Sequence, residues 1–185
     1  MVRTRTMTQD EYKKNHASFK IIYGFHSSPF GNCLLGVTDT DKAVLYLAFV
    51  DRNDEGGLAD LKNNWPLSEL VEDTNNETEE IIRNIFSPCA FVDDFLTVLL
   101  MGTEFQIKVW ECLLTVPKAT TITYEQIALS ISNPKAVRAV GNAVMKNRIA
   151  YLVPCHRVVG KSGSNKYKWG TELKETIISH ECQYP

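Results

Sequence analysis

The sequence predicts an α/β (α+β) chain: a small N-terminal β-sheet domain with flanking helices, followed by a mainly helical C-terminal domain. Three observations predict it. Residues 19–25, 33–37 and 43–50 are rich in Ile, Val, Leu, Tyr and Phe and are separated by the turn stretches SSPFGN and TDTDK, a pattern of consecutive strands. Beyond residue 103 the apolar residues recur every three to four positions behind capping motifs, the helical pattern. Charge divides the same way: residues 1–100 carry −7 and residues 101–185 carry +5, giving the net −2. A basic half joined to an acidic half suits a chain with one face toward a polyanion, although solvated charge clustered by chance gives the same numbers.

Taken in order, residues 1–17 are polar and read as a mobile start. The three strand-like runs follow, then an acidic, Asn-rich region in which LADLKNNW and NETEEIIRNIF have helical spacing. Asp93 and Asp94 lie near the seam, which gives domains of 1–94 and 95–185. Thr103-Glu-Phe-Gln106 is a capping box, followed by Phe105, Val109, Cys112, Leu113 and Val116 on one face, with Cys112 expected in the core and Pro117 as the stop. Thr123-Tyr-Glu-Gln126 repeats the box and opens a helix to about Ile131. Asn133 as cap and Pro134 at the first helical position open the next, which runs to about Lys146. Its apolar side is Ala136, Val137, Val140, Ala143 and Val144; its other side is Lys135, Arg138, Asn142 and Lys146. Two short helices joined by a tight turn, the second basic outside, form a helix-turn-helix pattern, and Ala139 and Gly141 would let its backbone approach a groove. Plain helix packing produces the same spacing.

The chain's 185 residues are 44% hydrophobic and 23% charged, ordinary for a globular protein. No apolar run reaches the roughly 18–20 residues of a membrane span. MVRTRTMTQDEYKKNH lacks the apolar stretch of a secretory signal, so an intracellular location is expected, nuclear in a eukaryote and cytoplasmic otherwise. Five scattered cysteines without a C-x-x-C pair argue against a disulfide framework and a zinc ribbon. His16, His26, Cys33 and Cys89 match no metal-finger spacing, so no metal is expected. Cys33, Cys89 and Cys182 read as structural or incidental.

The chemistry concentrates in NRIAYLVPCHRVVG, residues 147–160. Cys155 could be a packing residue, half a disulfide, a metal ligand or a nucleophile. Pro154 fixes its own φ and removes a donor, which suggests a rigid bend after the apolar run 151–153. The thiolate is the nucleophile, and a nearby histidine favours it. His156 is adjacent, but neighbours in an extended chain point apart, so coupling would pass through a water. A histidine also needs an orienting group, and Glu181, beyond the helical segment 171–180, is a candidate carboxylate; other acids fit the pattern as well.

PCHRVVG resembles the active-site signature of the O6-alkylguanine-DNA alkyltransferases. GTEFQIKVWECLLTVPKATTITYEQIA, NPKAVRAVGNAV and YKWG…LKETIISHE are similar to further family segments, in family order, across residues 101–181, and FHSSPFGNCLLGVTD resembles the N-terminal half more weakly. The resemblance implies suicide repair: O6-alkylguanine, chiefly O6-methylguanine, is flipped from duplex DNA and its alkyl group moves irreversibly to Cys155. It implies that His156 is the base through a water, that Glu181 holds His156, and that Asn147 braces the turn by backbone hydrogen bonds. Tyr124 would hydrogen-bond or protonate the departing base. Arg138 would fill the gap in the duplex, with Lys135, Ala136, Ala139, Asn142 and Tyr124 also at the DNA in the minor groove. Tyr124, Val158, Tyr167 and Lys168 would line the base pocket. No cofactor is implied, no membrane is involved, and a monomer is expected. Tyr167-Lys-Trp-Gly170 replaces a more open loop of some relatives, which implies poor acceptance of benzyl groups.

Three rivals remain beside this reading. An alkyltransferase-like lesion binder would lack the acceptor cysteine, which is present. A transcription regulator would carry longer polar side chains on its outer helix. A Cys-His hydrolase would turn over many esters per molecule.

Overall fold

The computed structural model describes residues 2–51, 55–87, 95–161 and 166–183; Cys89, Asp93 and Asp94 lie outside them. The chain forms two compact units, Met1–Met101 and Gly102–Pro185.

The first unit is a six-stranded sheet with helices. Its strands are β1 (Val2–Met7), β2 (Ile21–Ser28), β3 (Gly31–Thr38), β4 (Val44–Phe49), β5 (Leu70–Glu72) and β6 (Leu96–Met101), arranged β1-β6-β4-β3-β2-β5. The β2, β3 and β4 strands form an antiparallel meander, while β1–β6, β4–β6 and β2–β5 are parallel. Residues 33–38 of β3 are all buried, so this central strand reads as a continuous apolar run instead of alternating. The helices are α1 (Gln9–Asn15), α2 (Glu55–Asn64) and α3 (Glu77–Phe86). Thr8 and Glu11 make a reciprocal capping box at α1, and Tyr12 of α1 packs edge-on against buried Trp65.

Two expectations fail in this unit. Residues 2–15 are ordered as β1 and α1 instead of forming a mobile start. The expected boundary after residue 94 is displaced to Met101/Gly102, because β6 is sheet, paired with β1 along its whole length from Val2↔Leu96 to Met7↔Met101.

The second unit is mainly helical: α4 (Glu104–Leu114), α5 (Tyr124–Ser130), α6 (Val137–Met145) and α7 (Thr171–Gln183). Both predicted capping boxes are present, Thr103 with Gln106 and Thr123 with Gln126. Trp110 of α4 is buried and donates from Nε1 to Ala143 O of α6 at 2.9 Å. Gly102 makes this packing possible, since a Cβ there would sit 2.8 Å from the Trp110 ring. A two-residue parallel ladder, β7 (Ile122–Thr123) with β8 (Val158–Val159), ties the start of α5 to the segment after Cys155.

Three details of this unit differ from expectation. Asn133 does not cap α6: its N–H bonds Ala128 O while that of left-handed Ser132 bonds Leu129 O, so it closes α5 in a Schellman motif. The next helix accordingly starts at Val137 with Ala136 as its uncapped flanking residue. Val137, expected on the apolar side, is exposed, and Cys112 is only half-buried. Among the described residues no helix is long and apolar enough to cross a membrane.

Candidate active site

Residues 147–157 double back tightly. Leu152 N bonds Ala150 O at 2.6 Å and Cys155 N bonds Val153 O at 2.7 Å, two three-residue turns, the first centred on left-handed Tyr151 at φ 65°. Cys155–Arg157 then form one 3-10 turn, so the extended geometry expected around Cys155 and His156 is replaced by a helical one.

Asn147 holds this turn from inside. Its Oδ1 accepts from Ile149 N at 3.0 Å; its Nδ2 donates to Val153 O at 2.9 Å, Ile149 O at 3.2 Å and the Cys155 sulfur at 3.0 Å. The sulfur's side-chain partner is therefore an amide donor. Burial pushes the Cys155 thiol up to about 11, opposed by that donor and by the charges of Lys174 and Lys168.

The next link is a buried charged cluster. His156 is fully buried; its Nε2 lies 2.9 Å from Glu181 Oε1, and its Nδ1 has no hydrogen-bond partner among the described residues. A carboxylate only accepts, so Nε2 carries the proton and Nδ1 presents a lone pair. Arg157 donates from Nε and Nη2 to both oxygens of Glu181 and from Nη1 to Val116 O. Ala119 N completes the set at 3.1 Å from Oε2. Burial works to raise Glu181, but the bonds from His156 and Arg157 outweigh it and hold it down at about 2. Burial lowers His156, against the pull of Glu181. Tyr151 stacks on the imidazole and Tyr167 meets it edge-on.

The α7 helix supplies Lys174, Ile177 and Glu181 on its single buried face. Lys174 donates from Nζ to Val158 O, and burial lowers its pKa while Cys155 works to raise it. Tyr124 opens α5, half-buried; burial and the nearby Cys155 raise its hydroxyl. The Tyr167 hydroxyl is buried, also without a partner among the described residues. Lys168 is exposed, its ammonium 5.3 Å from the Trp169 ring centroid. Lys135, Arg138, Ala139 and Asn142 are exposed along and just ahead of α6, and Ala136 is half-buried.

The expected residues Cys155, His156, Asn147 and Glu181 thus meet in one cluster, with Tyr124, Tyr167 and Val158 around it. Sequence reasoning missed the roles of Arg157, Lys174 and Ala119. The seven-residue step from Lys174 to Glu181 places both on one helix face, a signal that was present.

A buried cysteine beside an amide donor and a Glu-oriented histidine, in a unit that exposes Lys135 and Arg138 at and ahead of α6, is an arrangement suited to a cysteine nucleophile. Comparison specifies it. Residues 104–183 match the family model described as 6-O-methylguanine DNA methyltransferase, DNA binding domain. The Kluyveromyces lactis methylated-DNA–protein-cysteine methyltransferase is 33% identical over 188 residues, spanning 89% of this chain and 98% of that protein. The Scheffersomyces stipitis protein of the same name is 44% identical over 171 residues, 80% of this chain and 87% of its own. Among solved structures, Mycobacterium tuberculosis O6-methylguanine methyltransferase superposes with TM-score 0.67 at 29% identity, covering 89% of this chain and 94% of its own. The OGT of that organism in complex with DNA gives 0.68 at 29% identity, covering 88% and 94%. The chain belongs to the methylated-DNA–protein-cysteine methyltransferase family.

Proposed function

We propose that this protein repairs O6-alkylguanine, chiefly O6-methylguanine, in double-stranded DNA by moving the alkyl group to its own Cys155 once and irreversibly. The observation that carries the reading is the imidazole of His156, pinned through Nε2 to Glu181 with Nδ1 unpartnered, one residue from a buried sulfur that accepts from Asn147.

The steps follow from that arrangement. The Cys155 proton passes through a water to His156 Nδ1, and Glu181 stabilises the imidazolium; its depressed pKa keeps the proton on the ring. Asn147 Nδ2 donates to the thiolate as it forms. The sulfur attacks the carbon on O6 in line: the S–C bond forms, the C–O bond breaks, and the electron pair leaves with the base. Tyr124, whose raised hydroxyl retains its proton, donates to that base. The product is a thioether, which has no usable leaving group, so each molecule acts once.

A guanine in the stack cannot reach a buried sulfur, so the nucleotide must be extruded at a cost of about a few kcal/mol. The outer face of α6 supplies the offsetting contacts: Arg138 fills the vacated position, small Ala139 permits close approach in the minor groove, and Lys135 and Asn142 meet the backbone. Such binding is salt-sensitive and nearly indifferent to sequence. The protein acts as a monomer.

The test is intact-mass and peptide mass spectrometry after incubation with duplex DNA containing O6-methylguanine. One methyl group per protein, on the peptide containing Cys155, is expected, and none in Cys155→Ala although it still binds the duplex. Several lesions processed per molecule, or transfer persisting in Cys155→Ala, overturns the proposal.

A further inference from the structure

We propose that Arg157 is a positioning residue for this reaction: its guanidinium clamps and neutralises Glu181, so that His156 rests as a neutral base instead of an imidazolium. The inference rests on the methyl-transfer reading and adds a residue to it.

The geometry is a closed set of donors. Glu181 Oε1 accepts from Arg157 Nη2 at 2.6 Å and from His156 Nε2 at 2.9 Å. Its Oε2 accepts from Arg157 Nε and from Ala119 N, each at 3.1 Å. Arg157 is itself anchored through Nη1 to Val116 O, just past the end of α4. Ala119 stands at φ 55°, in the left-handed region that a residue with a Cβ rarely occupies, and the loop holding it there delivers its N–H to the carboxylate. With both oxygens occupied the carboxylate cannot rotate away from the imidazole.

The electrostatic consequence separates this role from packing. A buried carboxylate facing only an imidazole draws a proton onto the ring, and a ring already protonated cannot accept one from Cys155. A permanently charged guanidinium on the same carboxylate cancels that pull, and arginine, unlike lysine, cannot give up its own proton. The other titratable groups facing the cluster are Cys155 and Tyr151 of the turn, Tyr124 of α5, Tyr167 and Lys168 ahead of α7, and Lys174 of α7. The ammonium of Lys174 is committed to Val158 O, and that of Lys168 lies over Trp169. Arg157 is the cation whose nitrogens bond Glu181.

The test follows the pH dependence of two rates in the wild type, Arg157→Lys and Arg157→Met. One is single-turnover methyl transfer from duplex DNA. The other is alkylation of Cys155 by iodoacetamide, read at the Cys155 peptide and independent of DNA. In Arg157→Met the acid limb of transfer should move up by about one pH unit, the order of a lost neighbouring charge. Iodoacetamide should label Cys155 faster at neutral pH, because the imidazolium now stabilises the thiolate. Arg157→Lys keeps the charge and loses the fork, so its limb should stay at the wild-type position while transfer slows several-fold. An Arg157→Met protein whose transfer limb and labelling profile both coincide with those of the wild type overturns the proposal, however slow it is. Should Arg157→Met fail to fold, the lysine variant decides: slower transfer with an unmoved limb supports the role, and a wild-type rate overturns it. Absence of transfer by the wild type sinks the methyl-transfer reading instead, and the labelling profile still judges Arg157.

Discussion

Replacing Asn147 by alanine removes an amide that serves four partners at once. The donor Ile149 N–H loses its acceptor at a buried position, which costs about 1–3 kcal/mol for an unsatisfied group. The carbonyls of Ile149 and Val153 fare better, since each keeps a backbone donor, Val153 N at 3.1 Å and Cys155 N at 2.7 Å. Losing the second bond to each costs about 0.5 kcal/mol apiece, the low end for a net hydrogen bond. The total is about 3 kcal/mol, and a chain of this size loses about 2–4 °C of melting temperature per kcal/mol, so Asn147→Ala should melt about 6–12 °C below the wild type. The reaction suffers separately, because the thiol loses the donor that holds its pKa down, and transfer should slow at least about tenfold, equivalent to 1.4 kcal/mol. Asn147→Asp separates shape from hydrogen bonding. Its volume is nearly unchanged, yet an acceptor now faces two carbonyls and the sulfur, so it should be at least as unstable and as slow as the alanine variant. The assays are thermal unfolding by circular dichroism and rapid-quench methyl transfer. Asn147→Ala melting within 2 °C of the wild type and methylating at its rate, or Asn147→Asp retaining full activity, would refute the assignment (2 °C being about 1 kcal/mol for this chain).

Three further outcomes follow from the same structure. Glu181 is held at about 2 against its ordinary 4.5, so its stabilisation is complete above pH 4.5 and is lost as pH falls toward 2; His156, lowered from 6.5, likewise favours folding above that value and penalises it below. Melting temperature should therefore fall as pH drops below about 6.5, and Glu181→Gln should flatten the curve between pH 4.5 and 2. Arg138→Ala should slow transfer from duplex DNA by about tenfold or more while leaving transfer from free O6-methylguanine unchanged, since only the duplex requires extrusion; equal losses on both would remove its role. Thr123→Ala removes the capping box of α5 and should cost about 1 kcal/mol in urea unfolding, with the midpoint shifted and the slope unchanged.

The parts of this fold that were readable are those dictated locally. Thr103 and Thr123 announce their helices because the cap and its reciprocal Glu or Gln lie within four residues. The β3 and β4 strands announce themselves because burial on both faces demands unbroken apolar runs. By contrast β1, with the polar-looking VRTRTM, becomes a strand by pairing with a segment more than ninety residues away, and its arginines find Phe95 and Asp41 only then. The site divides similarly. The residues that cluster around Cys155 were marked by the PCHR signature and its surroundings. Arg157 stands in that same signature, but its partner was not readable, nor was that of Ala119, because both bond a carboxylate on a helix far along the chain that nothing near either residue specifies.

The deep seat of the Cys155 sulfur has one more consequence. With 5% of the residue exposed and burial pushing its thiol up, the Cys155 sulfur rests as the protonated thiol at neutral pH. Electrophiles and oxidants in solution therefore reach exposed Cys182 more readily than buried Cys155. On the proposed single-use reaction, that dormancy is shelf life.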